Sequence, residues 1–89
     1  MSKILFVDDD KQLAAVASDW LTAENHVVDV VNDGKEALSR LEFYPYDLVV
    51  LDLTLPGLDG VQVCRQYRAA GGHIPIIMLT AKADVESKL

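Results

Sequence analysis

Residues 47–52 read Asp-Leu-Val-Val-Leu-Asp, four consecutive apolar side chains enclosed by two aspartates. A strand that is apolar at every position is buried on both faces, which is typical of a parallel sheet covered by helices. Two further apolar runs of four residues, Ile4–Val7 and Ile76–Leu79, lie on either side of it in the sequence. The three runs predict the buried strands of an α/β protein.

Segments of helical or strand character separate these runs. The residues that share one apolar face of a predicted first helix are Leu13, Val16, Ala17, Trp20 and Leu21. Val27–Val31 predicts another strand, placed at an edge of the sheet because Asp29 would face water. Capping-box patterns at Asp33–Glu36 and Asp59–Gln62 predict the starts of two more helices. Residues 81–89 predict the opening of a fourth helix.

Strands and helices that alternate in this way form right-handed βαβ units around a parallel sheet. We therefore predict the α/β class, an open three-layer sandwich, and a single domain over residues 1–89.

Composition narrows the functions that this chain can have. Fourteen acidic and eight basic residues give a net charge of −6, which opposes binding of this segment to nucleic acid. Apolar runs of four residues are far too short to span a membrane, and no secretory signal is visible, so we expect a cytoplasmic protein. One cysteine, Cys64, cannot form an internal disulfide or a zinc site.

Acidic residues follow the predicted strands at one edge of the sheet, because parallel strands deliver their carboxyl ends together. Asp8, Asp9 and Asp10 follow the first strand, Asp52 follows the third, and the hydroxyl of Thr80 follows the fourth. Crowded carboxylates repel one another, and a hard divalent cation relieves this repulsion. An all-oxygen site favours Mg²⁺, with Mn²⁺ as the next choice.

Such a site suits phosphoryl transfer. A carboxylate beside a metal ion can attack phosphorus and form an aspartyl phosphate. Asp52 is the candidate nucleophile, since it stands alone at the end of a central strand. Asp8 and Asp9 are candidate metal ligands, and Thr80 could donate a hydrogen bond to a phosphoryl oxygen.

Three segments resemble the receiver domain of two-component response regulators. They are KILFVDD at Lys3–Asp9, DLVVLDLTLPGLDG at Asp47–Gly60 and PIIMLTA at Pro75–Ala81. The resemblance implies that Asp52 accepts a phosphoryl group from a histidine kinase or from acetyl phosphate. It also implies that Asp8, Asp9 and the backbone carbonyl of Thr54 coordinate Mg²⁺, and that Thr80 is the switch residue. Asp10 would cap the first helix. A transcriptional output domain downstream is a further expectation.

Receiver domains contain five strand–helix units, whereas this chain supplies four strands and the opening of a fourth helix. The resemblance thus implies a CheY-like (flavodoxin-like) sheet of order 2-1-3-4 that lacks the fifth strand, its lysine and the fifth helix. We expect metal binding to survive this loss better than phosphoryl transfer. Ile76–Leu79 would then be an edge strand with exposed apolar faces, and we expect such a strand to promote self-association.

Two other functions stay open. An aspartate-nucleophile phosphatase of the haloacid dehalogenase type would need a second aspartate where Thr54 stands, and a pure assembly module would not use the acidic residues at all. Asp8 and Asp9 could also simply cap a helix. Asp29 resembles the ribose-binding acid of dinucleotide folds, but no glycine-rich turn follows the first strand. We interpret Cys64 and Trp20 as packing residues, and His26 and His73 as solvated.

Overall fold

The computed structural model describes residues 2–53, 55 and 57–79. Within these residues the chain forms four strands and three helices that alternate along the sequence. They are β1 (Lys3–Val7), α1 (Lys11–Ala23), β2 (Val27–Val31), α2 (Gly34–Phe43), β3 (Leu48–Asp52), α3 (Gly60–Ala69) and β4 (Ile76–Leu79). The helix predicted at residues 81–89 lies outside the described residues. Each described helix is too short or too polar to cross a membrane.

The four strands form one parallel sheet in the order β2-β1-β3-β4. Ile4 lies opposite Val28 on one side and Leu48 on the other, and Val49 lies opposite Ile76. The predicted class and strand order are therefore confirmed. Because β1 and β3 occupy the centre, their uninterrupted apolar sequences are explained by burial on both faces.

Alternate residues of the central strands face two separate cores, one on each side of the sheet. Leu5 and Leu51 belong to the core under α2 and α3, with Val63 of α3. Ile4 and Phe6 belong to the core under α1. Full burial of each such side chain contributes about 1.5–3 kcal/mol, so the three-layer arrangement is the main source of stability.

Each of the three helices in the described residues has an aspartate as its N-cap. The carboxylate of Asp10 accepts a hydrogen bond from the Leu13 amide at 3.1 Å, and that of Asp33 accepts one from the Glu36 amide at 2.8 Å. The predicted capping box is complete in α3, where Asp59 and Gln62 bond each other's backbone amides. In α2 the Asp33 half of the pattern is present.

The apolar face predicted for α1 is only partly buried. Ala14 is buried and Leu21 packs against the sheet, but Val16 is 57% exposed and Trp20 is 77% exposed. The interpretation of Trp20 as a packing residue is wrong. Helical spacing shows which side chains share a face of the helix. Burial requires in addition that a neighbouring element covers that face, and the described residues cover only part of this face of α1.

The apolar residues of α3 differ in their burial. Val63 and Tyr67 are buried, whereas Val61 is exposed. Cys64 is half-buried and packs against the core beneath α2 and α3, as expected for a packing residue. The buried face of α3 is therefore the one that carries Val63 and Tyr67.

A group of polar contacts lies toward the amino ends of the strands. The Tyr46 hydroxyl donates a hydrogen bond to the Asp29 carboxylate at 2.6 Å, and the Lys3 amide donates one to Asp47 at 2.8 Å. Burial, followed by the hydrogen bond to Asp29, raises the pKa of Tyr46 to about 12. Asp29 is thus half-buried and bonded rather than directed at water, although β2 is an edge strand as predicted.

The two histidines differ in their surroundings. His26 is half-buried, and its Nδ1 accepts a hydrogen bond from the Ser2 amide at 3.2 Å, so the interpretation of His26 as a solvated residue is wrong. His73 is exposed, as predicted.

Candidate metal centre

Three carboxylates meet at the carboxyl edge of the sheet. Asp8 and Asp9 follow β1, Asp52 is the last residue of β3, and these two strands are neighbours. One carboxylate oxygen from each residue lies within 4.8 Å of the others. We call this cluster of Asp8, Asp9 and Asp52 the acidic pocket. The predicted meeting of these residues at one edge of the sheet is confirmed.

Asp8 is the buried member of the acidic pocket, with 3% of its surface exposed. Its carboxylate accepts a hydrogen bond from the Asp10 amide at 2.9 Å. Its own amide donates to the Val31 carbonyl at 3.1 Å, and its carbonyl accepts from Asn32 Nδ2 at 3.0 Å. Backbone and side chain are therefore both held in place, and the carboxylate is presented in one direction.

Asn32 is a site residue that the sequence analysis missed. It directly follows β2, so it stands at the same edge of the sheet as the acidic residues. That position was readable from the strand boundaries, but its contact is with a backbone carbonyl rather than with the carboxylates. Asn32 carries no charge, so nothing in its residue type marked it as a candidate metal ligand.

The environment of Asp8 disfavours its charged form. Burial raises the pKa of Asp8 above its usual value of 3.8, and the negative charges of Asp52, Asp9 and Asp10 raise it further. The hydrogen bond from the Asp10 amide acts in the opposite direction, but the net shift is upward. Ionising all three carboxylates of the pocket therefore costs free energy in the absence of a positive charge.

The donor set fits a hard divalent cation. Three carboxylates supply oxygen ligands, which are the ligands that Mg²⁺ prefers, and one or two carboxylates with several waters suffice for that ion. A cation between the carboxylates would also offset the repulsion that, after burial, adds to the raised pKa of Asp8. The acidic pocket thus has the chemistry of a Mg²⁺ site.

The remaining candidates separate into two groups. Asp10 is the N-cap of α1, as predicted, so the alternative in which Asp8 and Asp9 serve as its cap is wrong. Thr54 and Thr80 lie outside the described residues, and their roles stay predictions.

Comparison with known proteins agrees with this geometry. The family model of the response regulator receiver domain matches residues 4–89. The DNA-binding response regulator MtrA of Mycolicibacterium smegmatis is 48% identical over 82 residues, which make up 92% of this chain and 36% of MtrA. The chain spans less than half the length of the curated relatives that we compared.

Two solved structures share the fold. The receiver domain of the Francisella response regulator 1452 matches with a TM-score of 0.90 and 33% identity, over 99% of this chain and 73% of that chain. The response regulator TrrA of Thermotoga maritima, solved in complex with Mg²⁺-BeF, matches with a TM-score of 0.87 and 35% identity, over 100% of this chain and 77% of that chain. The sheet order, the acidic pocket and the family match lead to one conclusion: this chain belongs to the response regulator receiver domain family.

Proposed function

We propose that Asp52 accepts a phosphoryl group from a sensor histidine kinase in a Mg²⁺-dependent reaction. The observation that carries this proposal is the acidic pocket, in which Asp52 ends a central strand within 4.8 Å of two further carboxylates. Receiver domains are phosphoacceptors, and the homologous TrrA structure in complex with Mg²⁺-BeF supports a metal-dependent site of this kind.

Each residue of the acidic pocket has a distinct task in this proposal. Asp8, Asp9 and Asp52 would hold the cation. The Asp52 carboxylate would form its bond to phosphorus as the bond between phosphorus and the phosphohistidine nitrogen of the kinase breaks. The bound cation would neutralise charge on the acceptor and on the incoming phosphoryl group, which is most of what phosphoryl transfer requires. Mn²⁺ would serve in place of Mg²⁺. The Thr54 carbonyl as a further ligand and Thr80 as the switch residue follow from the family resemblance.

The whole protein would act as a cytoplasmic regulator of transcription through an output domain downstream of the receiver. This is supported by MtrA, a DNA-binding response regulator, because the segment that matches this chain makes up 36% of the MtrA sequence. With a net charge of −6, the present segment would contact the kinase rather than DNA.

The test is phosphorylation by acetyl phosphate with Mg²⁺, followed by intact mass spectrometry. We expect a gain of one phosphoryl group that needs Mg²⁺ and that is lost in Asp52→Asn. Asp47→Asn is the matched control, because it removes the same charge at the other end of β3 and should still be labelled. Labelling that persists in Asp52→Asn would refute the assignment. Continuous release of phosphate over many turnovers would instead indicate the phosphatase alternative.

Self-association through β4 is a second candidate function, and it corresponds to the assembly module named above as an alternative. Within the described part of the chain β4 is an edge strand, and Ile77 is 50% exposed while Met78 is also exposed. An apolar edge strand is a template for pairing with a second copy. Sedimentation velocity should show concentration-dependent dimers that Ile77→Lys abolishes. A monomer at every concentration would reject this candidate.

A further inference from the structure

Gly60 lies where the start of α3 meets the backbone of Asp52, a residue of the acidic pocket. It is the first residue of α3 and is buried. A Cβ atom added to Gly60 would overlap the carbonyl oxygen of Asp52 and would lie 2.8 Å from Leu53 Cα. Carbon atoms in favourable contact are about 3.5–4.0 Å apart. The helix therefore approaches the backbone of Asp52 so closely that only glycine, which has no Cβ, fits at position 60.

Hydrogen bonds to α3 and to β4 fix the backbone of Leu53, the residue that follows Asp52. The Gly60 amide donates to the Leu53 carbonyl at 3.0 Å, and the Leu53 amide donates to the Leu79 carbonyl of β4 at 2.9 Å. Asp59 and Gln62 complete the helix start with their reciprocal bonds. Leu53 is thus bonded to β4 through its amide and to α3 through its carbonyl, directly behind Asp52.

We infer that Gly60 is a positioning residue for the acidic pocket: its missing side chain lets α3 fix the backbone of Asp52, and thereby sets where the Asp52 carboxylate lies relative to Asp8 and Asp9. This inference rests on the proposed function of the pocket as a metal site. Since β4 holds Leu53, a side chain at position 60 must displace either the end of β3 or the start of α3. A displacement of about 1 Å is enough to impair a site that depends on converging ligands.

The experiment is Mn²⁺ binding by the whole chain, followed through the electron paramagnetic resonance of free Mn²⁺. We expect Gly60→Ala to weaken binding by roughly tenfold, the size of effect found when residues that orient metal ligands are changed. Gly72→Ala is the matched control. Its Cβ would overlap the ring of Tyr67 beyond the far end of α3, so it disturbs the packing of the same helix without touching Asp52. It should retain wild-type affinity for Mn²⁺.

Each outcome decides the inference. Wild-type affinity in Gly60→Ala, or equal losses in Gly60→Ala and Gly72→Ala, would overturn it while leaving the proposed metal site standing. A wild-type chain that does not bind Mn²⁺ would overturn both. Far-UV circular dichroism verifies the fold of each variant. If Gly60→Ala does not fold, Gln62→Ala replaces it: loosening the same helix start should weaken Mn²⁺ binding to a smaller extent, and unchanged affinity would reject the inference.

Discussion

Replacement of Asp8 by asparagine should stabilise the metal-free protein. Asp8→Asn removes one negative charge from the acidic pocket but keeps the shape of the side chain and an oxygen that can accept the Asp10 hydrogen bond. At the 4.8 Å limit for the carboxylate oxygens, two unit charges repel by about 0.9 kcal/mol in water and about 3.5 kcal/mol at an effective dielectric constant of about 20. Because Asp8 is buried and Asp9 is exposed, we expect a gain of about 1–3 kcal/mol at neutral pH.

The pH dependence of this gain follows from the raised pKa of Asp8. The folded state binds the proton of Asp8 more tightly than the unfolded state does, so the metal-free wild type loses stability as the pH rises from 3.8 through the raised value. The asparagine variant lacks this loss. Its advantage should therefore vanish below pH 3.8 and be complete at neutral pH. With Mg²⁺ at a hundred times its dissociation constant the wild type gains about 2.7 kcal/mol, and the variant should lose most of this gain.

Urea unfolding in buffer with EDTA, monitored by far-UV circular dichroism, measures the effect. Fluorescence is unsuited because Trp20 is already 77% exposed in the folded state. Asp19→Asn is the control, since it makes the same change of charge at an exposed position of α1. The predicted stabilisation is wrong if Asp8→Asn is no more stable than the wild type without metal, or if Asp19→Asn stabilises equally. The predicted role of Asp8 in metal binding is wrong if Mg²⁺ stabilises Asp8→Asn as strongly as the wild type.

Three further changes test contacts in other parts of the fold. Tyr46→Phe deletes the 2.6 Å bond to half-buried Asp29 and should cost about 1.5–3 kcal/mol in urea unfolding. Since the pKa of Tyr46 is about 12, this contribution should fade as the pH rises from 10 through 12, and an ultraviolet titration should show that the late ionisation is lost in Tyr46→Phe. An unchanged unfolding midpoint would exclude the bond. Asp59→Ala removes the capping box with Gln62 and should lower the free energy of unfolding by about 0.5–2 kcal/mol in the same assay. An unchanged free energy of unfolding would show that the capping box does not stabilise the start of α3. Trp20→Lys should change stability by less than about 0.5 kcal/mol, and a larger loss would show that Trp20 is packed after all.

The position of the acidic pocket could be predicted because it depends on two local features. Consecutive apolar residues identify buried parallel strands, and parallel strands end at one edge of the sheet. Asp8 and Asp52 each stand at such an end, so their meeting required no knowledge of side-chain packing. The contacts of the Asp8 backbone could not be predicted in this way, because they are made by Val31 and Asn32 at the carboxyl end of another strand, β2.

Contacts that cross an intervening strand were beyond the reach of sequence patterns. Tyr46 lies just before β3 and Asp29 lies in β2, and β1 stands between these two strands. Only the strand order brings the two side chains together, and an aspartate on an edge strand would otherwise face water. The exposure of Trp20 has a similar origin, since the spacing of apolar residues in α1 does not reveal how far the sheet extends beneath the helix.

The polar contacts near the amino ends of the strands give the sheet two unequal ends. Tyr46 and Asp47 bind Asp29 and the Lys3 amide there, whereas like charges crowd the opposite end. In the absence of a divalent ion we therefore expect fraying to begin beside the acidic pocket. Backbone amides of the last strand residues should exchange with deuterium before those of the first ones, and an ion in the pocket should slow exchange only at that end.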